Sequence, residues 1–281
     1  AFKPDVVIIE ALWVVPEKMK VLIRLHPKVE WIIRLHSKPA FIANEGIAFD
    51  WIGDYVKIGK LTGKLQVSSN NKEFADYLTD LYKEEVSYTP NVYPDVWRFN
   101  PRKPVGDTID IGCFGSLRPM KNHVTQAIAA IAFARSIGKN LRFHINSDRI
   151  EQKGDTVLKN LREMFKDIPH AELVEHPWMD HKDFINLVKT MDLGAQVSLS
   201  ETYNIVAADF ISVGIPVLVC KEIEFAPTLY IADPTSISSI EKGFLRLYTL
   251  DNPLLTTWAK IGLAKSNDKA LIEWKKVLKN A

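Results

Sequence analysis

Cysteine is scarce in this chain. Only Cys113 and Cys220 occur in 281 residues, each inside a short apolar run. Two cysteines cannot build a disulfide framework or, by themselves, a zinc site. Both are expected as buried strand residues in a reducing, cytoplasmic setting. Charge of one sign is also lacking: 36 Lys+Arg stand against 34 Asp+Glu, a formal net charge of +2. That balance gives no global pull towards nucleic acid or an acidic membrane and leaves only a local basic groove. No apolar run approaches the roughly 18–20 residues of a membrane span. No basic-then-apolar leader is visible, so the expectation is a soluble chain. D-x-D and H-E-x-x-H pairs are missing, as are a full G-x-G-x-x-G and a G-x-x-x-x-G-K-[ST] loop. No repeat is evident. With 47% hydrophobic and 25% charged residues, the composition excludes disorder and low-complexity architecture.

What is present is alternation. Short β-rich apolar runs predict strands at 6–12, 29–37, 65–69 and 86–89. Amphipathic stretches predict helices at 16–26, 39–53 and 71–85. The interval 90–108 then holds Pro90, Pro94, Pro101, Pro104 and Gly106, a linker signature. After it the alternation restarts. Strands are expected at 109–114, 141–145, 171–175, 193–199 and 216–220. Helices are expected at 121–138, 155–167, 180–191 and 204–213, with closing helices at 236–249 and 253–279. Such alternation predicts parallel sheets with crossover helices on both faces. The fold class is therefore α/β, with two Rossmann-like domains. The first spans 1–100 and the second 101–255. A last helix over 256–281 packs back towards the first. Ligands of such folds bind outside the carboxyl ends of the strands.

Two segments carry chemistry. The first, GCFGSLRPMKN (112–122), follows a strand and opens a helix. Its glycines, Gly112 and Gly115, allow close approach of the backbone to a ligand, and Ser116 follows in the same candidate donor-binding loop. Arg118 and Lys121 aim positive charge at one point, so the segment describes a diphosphate site. A tight turn with two solvated cations is the plain alternative. The second, SLSETYNIVAAD (198–209), ends a strand and begins a helix, and GIPV (214–217) follows. Glu201 lies at the strand's carboxyl end. Amides from Tyr203 through Asn204 and Ile205 to Val206 open the helix, and Asp209 stands about one turn further in. Here the plain alternative is a capping Glu201 and an exposed Asp209. Of the remaining candidates, Trp178 in His176-Pro177-Trp178 could wall a nucleotide base. Asp180 reads as a helix cap. His123 reads as a capping or phosphate contact, and His144 as an unspecific contact. The Lys-rich end EWKKVLKN (273–280) is a solvated helix face or a point of peripheral membrane contact.

The spacing Glu201-x7-Asp209 before a Gly-x-Pro-Val strand resembles the E-x7-E element of retaining GT-B glycosyltransferases, most of all their GT4-like group. FGSLR-x-x-KN is similar to that group's diphosphate element. The resemblance covers about residues 60–280. It implies that Glu201 binds hydroxyls of the donor sugar and that Asp209 holds the nucleoside ribose. Arg118, Lys121 and the amides of residues 203–205 would neutralise the diphosphate. His36, ending WIIRLHS (31–37), is similar to a histidine that faces the donor sugar in that family. The resemblance also implies a hexosyltransferase-like, metal-independent enzyme with no cofactor beyond its donor, a UDP- or GDP-sugar. The acceptor would be a glycan, lipid or other small molecule. The chain departs from the pattern in four ways, of which Ser116 in place of another small residue is the slightest. Asp209 replaces a Glu and shortens its reach by one methylene. Asn204 replaces a common Gly, and Asn tolerates such backbone angles. The amino-terminal domain looks shortened, with its first strands and glycine-rich loop absent. Alternatives are a nucleotide-sugar-binding module without turnover, or another GT-B enzyme such as a sugar-nucleotide epimerase. The sequence does not determine the oligomeric state.

Overall fold

A computed structural model describes residues 3–101, 106–250 and 252–280. The linker residue Pro104 lies outside the described residues. The chain divides into two compact units, one of residues 1–92 with 267–281 and the other of residues 93–266. The division thus falls at 92/93 and again inside the last helix.

The first unit runs β1 (Val6–Glu10), α1 (Pro16–Leu25), β2 (Glu30–Leu35), α2 (Pro39–Ile42), α3 (Ala48–Thr62), β3 (Leu65–Ser69), α4 (Lys72–Tyr82) and β4 (Ser87–Tyr88). Its four strands are parallel, in the order β1-β2-β3-β4. Ile33, Leu35 and Val67 of the sheet pack against Met19, Ile52, Tyr55 and Leu78 of the helices. The helix expected at 39–53 is instead two helices. The short α2 ends at Ile42, and α3 begins only at Ala48 and runs on to Thr62. Apolar Ile52, Tyr55 and Ile58 give α3 its buried stripe, while Gly53 and Gly59 weaken the helical signal along it. Gly59 is a packing requirement: a Cβ there would stand 2.3 Å from the Leu65 carbonyl oxygen. Gly63, with φ of 63°, then stops the helix.

The second unit runs β5 (Thr108–Gly112), α5 (His123–Ser136), β6 (Asn140–Asn146), α6 (Gly154–Phe165), β7 (Ala171–His176), α7 (His181–Val188), β8 (Leu193–Gln196), α8 (Ile205–Val213), β9 (Val217–Val219) and α9 (Ile237–Thr249). The closing helix α10 (Pro253–Asn280) follows. All five strands are parallel, in the order β7-β6-β5-β8-β9. Strand order therefore reverses between β5 and β8, which pair at Gly112 and Gly194. Open α/β sheets bind ligands at such a switch point, outside the carboxyl ends of the two strands. The segments beginning at Cys113 and Val197 both emerge there. Cys113 and Cys220 are free and buried, and burial raises both thiols, that of Cys220 to about 11. Among the described residues, no helix is long and apolar enough to cross a membrane.

Candidate functional site

Beyond β5 the chain turns at Gly115, whose φ of 113° suits glycine and whose amide donates to Asn146 Oδ1 at 3.0 Å. Leu117 then bridges to Ile150. Its amide donates to the Arg149 carbonyl at 2.9 Å, and its carbonyl accepts from the Glu151 amide at 2.9 Å. This brings Glu151 against Ser116 Oγ (3.1 Å), Arg118 (3.2 Å) and Arg149 (2.9 Å). Burial pushes the Glu151 carboxyl up, but the bonds from Arg149 and Ser116 and the Arg118 and Arg149 charges outweigh it. The carboxyl is held below its usual range. Arg149 also lies 4.4 Å from the centre of the exposed Trp178 ring, and the Trp178 amide donates to Asp148 Oδ1 at 2.7 Å. Trp178 is thereby coupled to the Ser116–Arg118 turn.

A 3-10 turn over Pro119–Lys121 and a left-handed Asn122 (φ 61°) lead into α5, two residues later than the periodicity predicts. Strand β8 in turn stops at Gln196 instead of Leu199, because Val197 and Leu199 bond to this turn and to α5. The Val197 amide donates to Gln126 Oε1 at 2.7 Å, Asn122 donates to the Val197 carbonyl at 3.1 Å, and the Leu199 amide donates to the Met120 carbonyl at 2.9 Å. This stitching brings Lys121 Nζ onto Glu201 Oε1. The same oxygen accepts from Ser198 Oγ at 2.8 Å and Asn204 Nδ2 at 3.1 Å. The Glu201 amide donates to Glu222 Oε2 at 2.6 Å. Among the described residues, no donor reaches Glu201 Oε2.

Asn204 adopts φ of 63° and caps α8 by accepting from the Ala207 amide at 2.9 Å. Ile205 opens that helix, whose first-turn amides lack helical acceptors. Tyr203 packs its ring on Phe225, and its buried hydroxyl, pushed up by burial, has no hydrogen-bond partner among the described residues. Asp209 is only 1% exposed. Its Oδ1 accepts from the Tyr93 hydroxyl at 2.6 Å and from His181 Nε2 at 2.9 Å. Arg98 in turn donates to the Tyr93 oxygen at 2.5 Å. Burial raises the Asp209 carboxyl, and the Tyr93 and His181 bonds oppose that shift. No donor among the described residues reaches Oδ2. In both carboxylates the side-chain bonds converge on one oxygen, Oε1 of Glu201 and Oδ1 of Asp209.

Other expectations resolve locally. Asp180 caps α7, accepting from the Asp183 amide at 2.9 Å. His144 is buried between His176 (2.9 Å) and Asp110 (3.0 Å), where it serves packing. His123 is buried, and neither ring nitrogen has a hydrogen-bond partner among the described residues. His36 lies in the first unit, just beyond β2, with Nε2 on the Glu10 carboxylate. Burial, foremost, lowers the His36 pKa. Sequence reasoning missed Glu151, Glu222, Tyr93 and Arg98. Glu222 stands just past the PVLVC strand, so its place at a carboxyl end was a usable signal. Glu151 had none.

No family model and no curated protein matches the chain. Solved structures do. A UDP-forming α,α-trehalose-phosphate synthase from Burkholderia xenovorans superposes with a TM-score of 0.74 at 13% identity, over 100% of this chain and 74% of that one. The α,α-trehalose-6-phosphate synthase of Burkholderia multivorans gives 0.72 at 13% identity, over 100% and 70%. A sucrose-phosphate synthase from Thermosynechococcus elongatus gives 0.63 at 14% identity, over 97% and 71%. The fold is GT-B. This is broader than the GT4-like group to which the motifs point. The paired segments lie at the β5–β8 switch point of an open parallel sheet.

Proposed function

We propose that this chain is a retaining glycosyltransferase that moves a sugar from a nucleoside-diphosphate donor to an acceptor hydroxyl. The observation that carries the proposal is the Lys121–Glu201 contact at the switch point, with Asp209 on the same strand–helix unit. Residues 101–255 would bind the donor, and residues 1–100 would face the acceptor. Glu201 would take donor-sugar hydroxyls on Oε2, and Asp209 the ribose on Oδ2. Gly115, Ser116 and the amides at Tyr203, Asn204 and Ile205 would line the diphosphate, with Trp178 beside the base. His36 would face the donor sugar. Two buried free thiols suit a reducing, cytoplasmic setting.

The chemistry is a front-face displacement. The acceptor oxygen bonds to the anomeric carbon as the bond from that carbon to the terminal phosphate oxygen breaks. The acceptor's proton passes to the departing phosphate. Lys121 and Arg118 stabilise the charge that develops there, and the protein supplies position and electrostatics. A glycosidase is a poor reading, because Glu201 and Asp209 share one strand–helix unit and do not flank a bond from opposite walls.

Thermal shift against UDP, GDP, ADP, TDP and their sugar conjugates tests the proposal. A ligand at a hundredfold excess over Kd stabilises the native state by about 2.7 kcal/mol. One nucleotide should shift the melting temperature, and Glu201→Ala or Arg118→Ala should abolish the shift. Silence with every nucleotide overturns the proposal. Binding without transfer or donor hydrolysis identifies a module that does not turn over.

A further inference from the structure

A second concavity lies in the first unit, at the carboxyl ends of β1 and β2. It has a volume of about 450 Å³, opens to solvent, and is lined by Leu12, Leu35, Ile42 and Ile52 with a half-buried Trp51 and a largely exposed Trp13. Its polar side chains are His36, Ser37 and Glu45, and its lining contains no lysine or arginine among the described residues. Ala11, at its edge, is held at φ of 54°, a left-handed conformation that alanine rarely adopts and that concentrates at ligand sites. An open α/β sheet presents its ligands on this side.

The lining restricts the occupant. An anion would sit here beside Glu45 with no cation in the described lining to pair with it, an unfavourable arrangement. Arg34 offers no relief, because its guanidinium is spent on the Thr89 carbonyl (2.8 Å), Glu10 (3.2 Å) and Asn91 (2.6 Å). A free hexose carries hydroxyls on every side, and only three polar side chains in this lining can bond them, so it gains little over water here. A flat apolar body, by contrast, matches Trp51 and a wall of branched aliphatics, with Trp13 at the rim. His36 pairs Nε2 with Glu10, which fixes the ring, and His36 and Ser37 both belong to the lining, where a single ligand hydroxyl finds polar surroundings.

We infer that this cavity is the acceptor site and takes an uncharged molecule with a flat aromatic or alicyclic body and a hydroxyl, and neither a sugar phosphate nor a free sugar. The inference rests on the glycosyltransferase reading, because that reading makes the ligand of the first unit an acceptor.

The test is isothermal titration calorimetry of the full chain with 2-naphthol, glucose and glucose 6-phosphate, beside separate titrations with UDP and GDP. Two variants localise the binding. Ile47→Trp adds bulk at a half-exposed position of the lining, so folding is spared. Trp51→Ala removes one indole. 2-Naphthol should bind the wild type, bind both variants at least tenfold more weakly, and leave nucleotide affinity unchanged. Binding of glucose 6-phosphate or glucose that Ile47→Trp abolishes overturns the inference, as does no binding of 2-naphthol or binding that neither variant weakens. A failure of the donor reading is distinct, because it appears as an absence of UDP and GDP binding.

Discussion

Lys121 and Glu201 neutralise each other in a nearly buried pair, with side chains 13% and 8% exposed. Removing one partner of such a pair strands the other charge and costs about 3–5 kcal/mol, whereas the pair itself adds little net stability. Lys121→Ala should therefore destabilise the second unit by that order in urea unfolding. Lys121→Met with Glu201→Gln should recover most of the loss; a double variant as unstable as Lys121→Ala would show that the contact is incidental. Arg118 differs, because its partner Glu151 is also held by Arg149 and Ser116. Arg118→Ala should leave stability nearly unchanged and weaken nucleoside diphosphate binding more than binding of the free nucleoside. Equal loss of both affinities counts against a diphosphate contact. His123 carries a pH signature. Burial, foremost, with the Lys121 and Arg118 charges, lowers its pKa from 6.5 to about 3. Between those values the unfolded chain binds a proton that the folded chain refuses, so stability falls as pH falls below 6.5. At pH 5 the loss relative to pH 7.5 is about 2 kcal/mol from this residue. His123→Gln should flatten the stability profile over that range by this amount, and an unchanged slope would assign the acid sensitivity elsewhere.

Individual elements show what a one-dimensional pattern can carry. Every strand of both sheets was legible, because VVIIE, EWIIRL and LRFHI are short apolar runs bounded by turn residues. The two chemical segments were legible for the same reason: each follows a strand and opens a helix. Three features were not. Helix α3 was hidden by Gly53 and Gly59, which lower local propensity, and Gly59 is what permits its close packing on β3. The early end of β8 was hidden because Gln126 and Asn122, some seventy residues away in sequence, replace its sheet partners. The support of Arg118 by Glu151 depends on the Leu117–Ile150 bridge, which no local pattern announces. Gly154 sets that bridge. A Cβ there would stand 1.9 Å from the Leu117 carbonyl oxygen, which already accepts the Glu151 amide. Gly154→Ala would gain helix propensity, but the backbone clash dominates, so a destabilisation of about 1–3 kcal/mol is expected. Weaker nucleotide binding should accompany it as Glu151 shifts away from Ser116 and Arg118. Calorimetry and thermal melting check both, and a stabilised variant would mean that the α6 terminus yields freely.

Across the whole molecule, two separate cores imply two stabilities. The first unit has four strands against five, and a smaller apolar core. Residues 267–281 belong to that unit, with Ala270 and Val277 buried and Trp274 half-buried. Trp274 Nε1 donates to the Pro90 carbonyl at 2.8 Å, and its ring lies 5.5 Å from the Arg34 guanidinium. The hydrogen bond contributes about 1 kcal/mol and the cation–π contact roughly 0.5–1 kcal/mol. Trp274→Ala should therefore lower the stability of the first unit by about 2 kcal/mol in addition to lost packing. Hydrogen exchange in increasing urea resolves the units, because amides of β2 and β3 report one core and amides of β5 and β6 the other. In the variant, β2 and β3 should exchange at lower urea while β5 and β6 keep their wild-type midpoint. Added nucleoside diphosphate should still protect β5 and β6 by the wild-type increment, because every residue assigned to the donor's diphosphate and ribose lies within 93–266. If both sets of amides lost protection together, or the nucleotide protected β2 and β3 equally, the chain would unfold as one cooperative body and the donor's stabilisation would extend beyond the second unit.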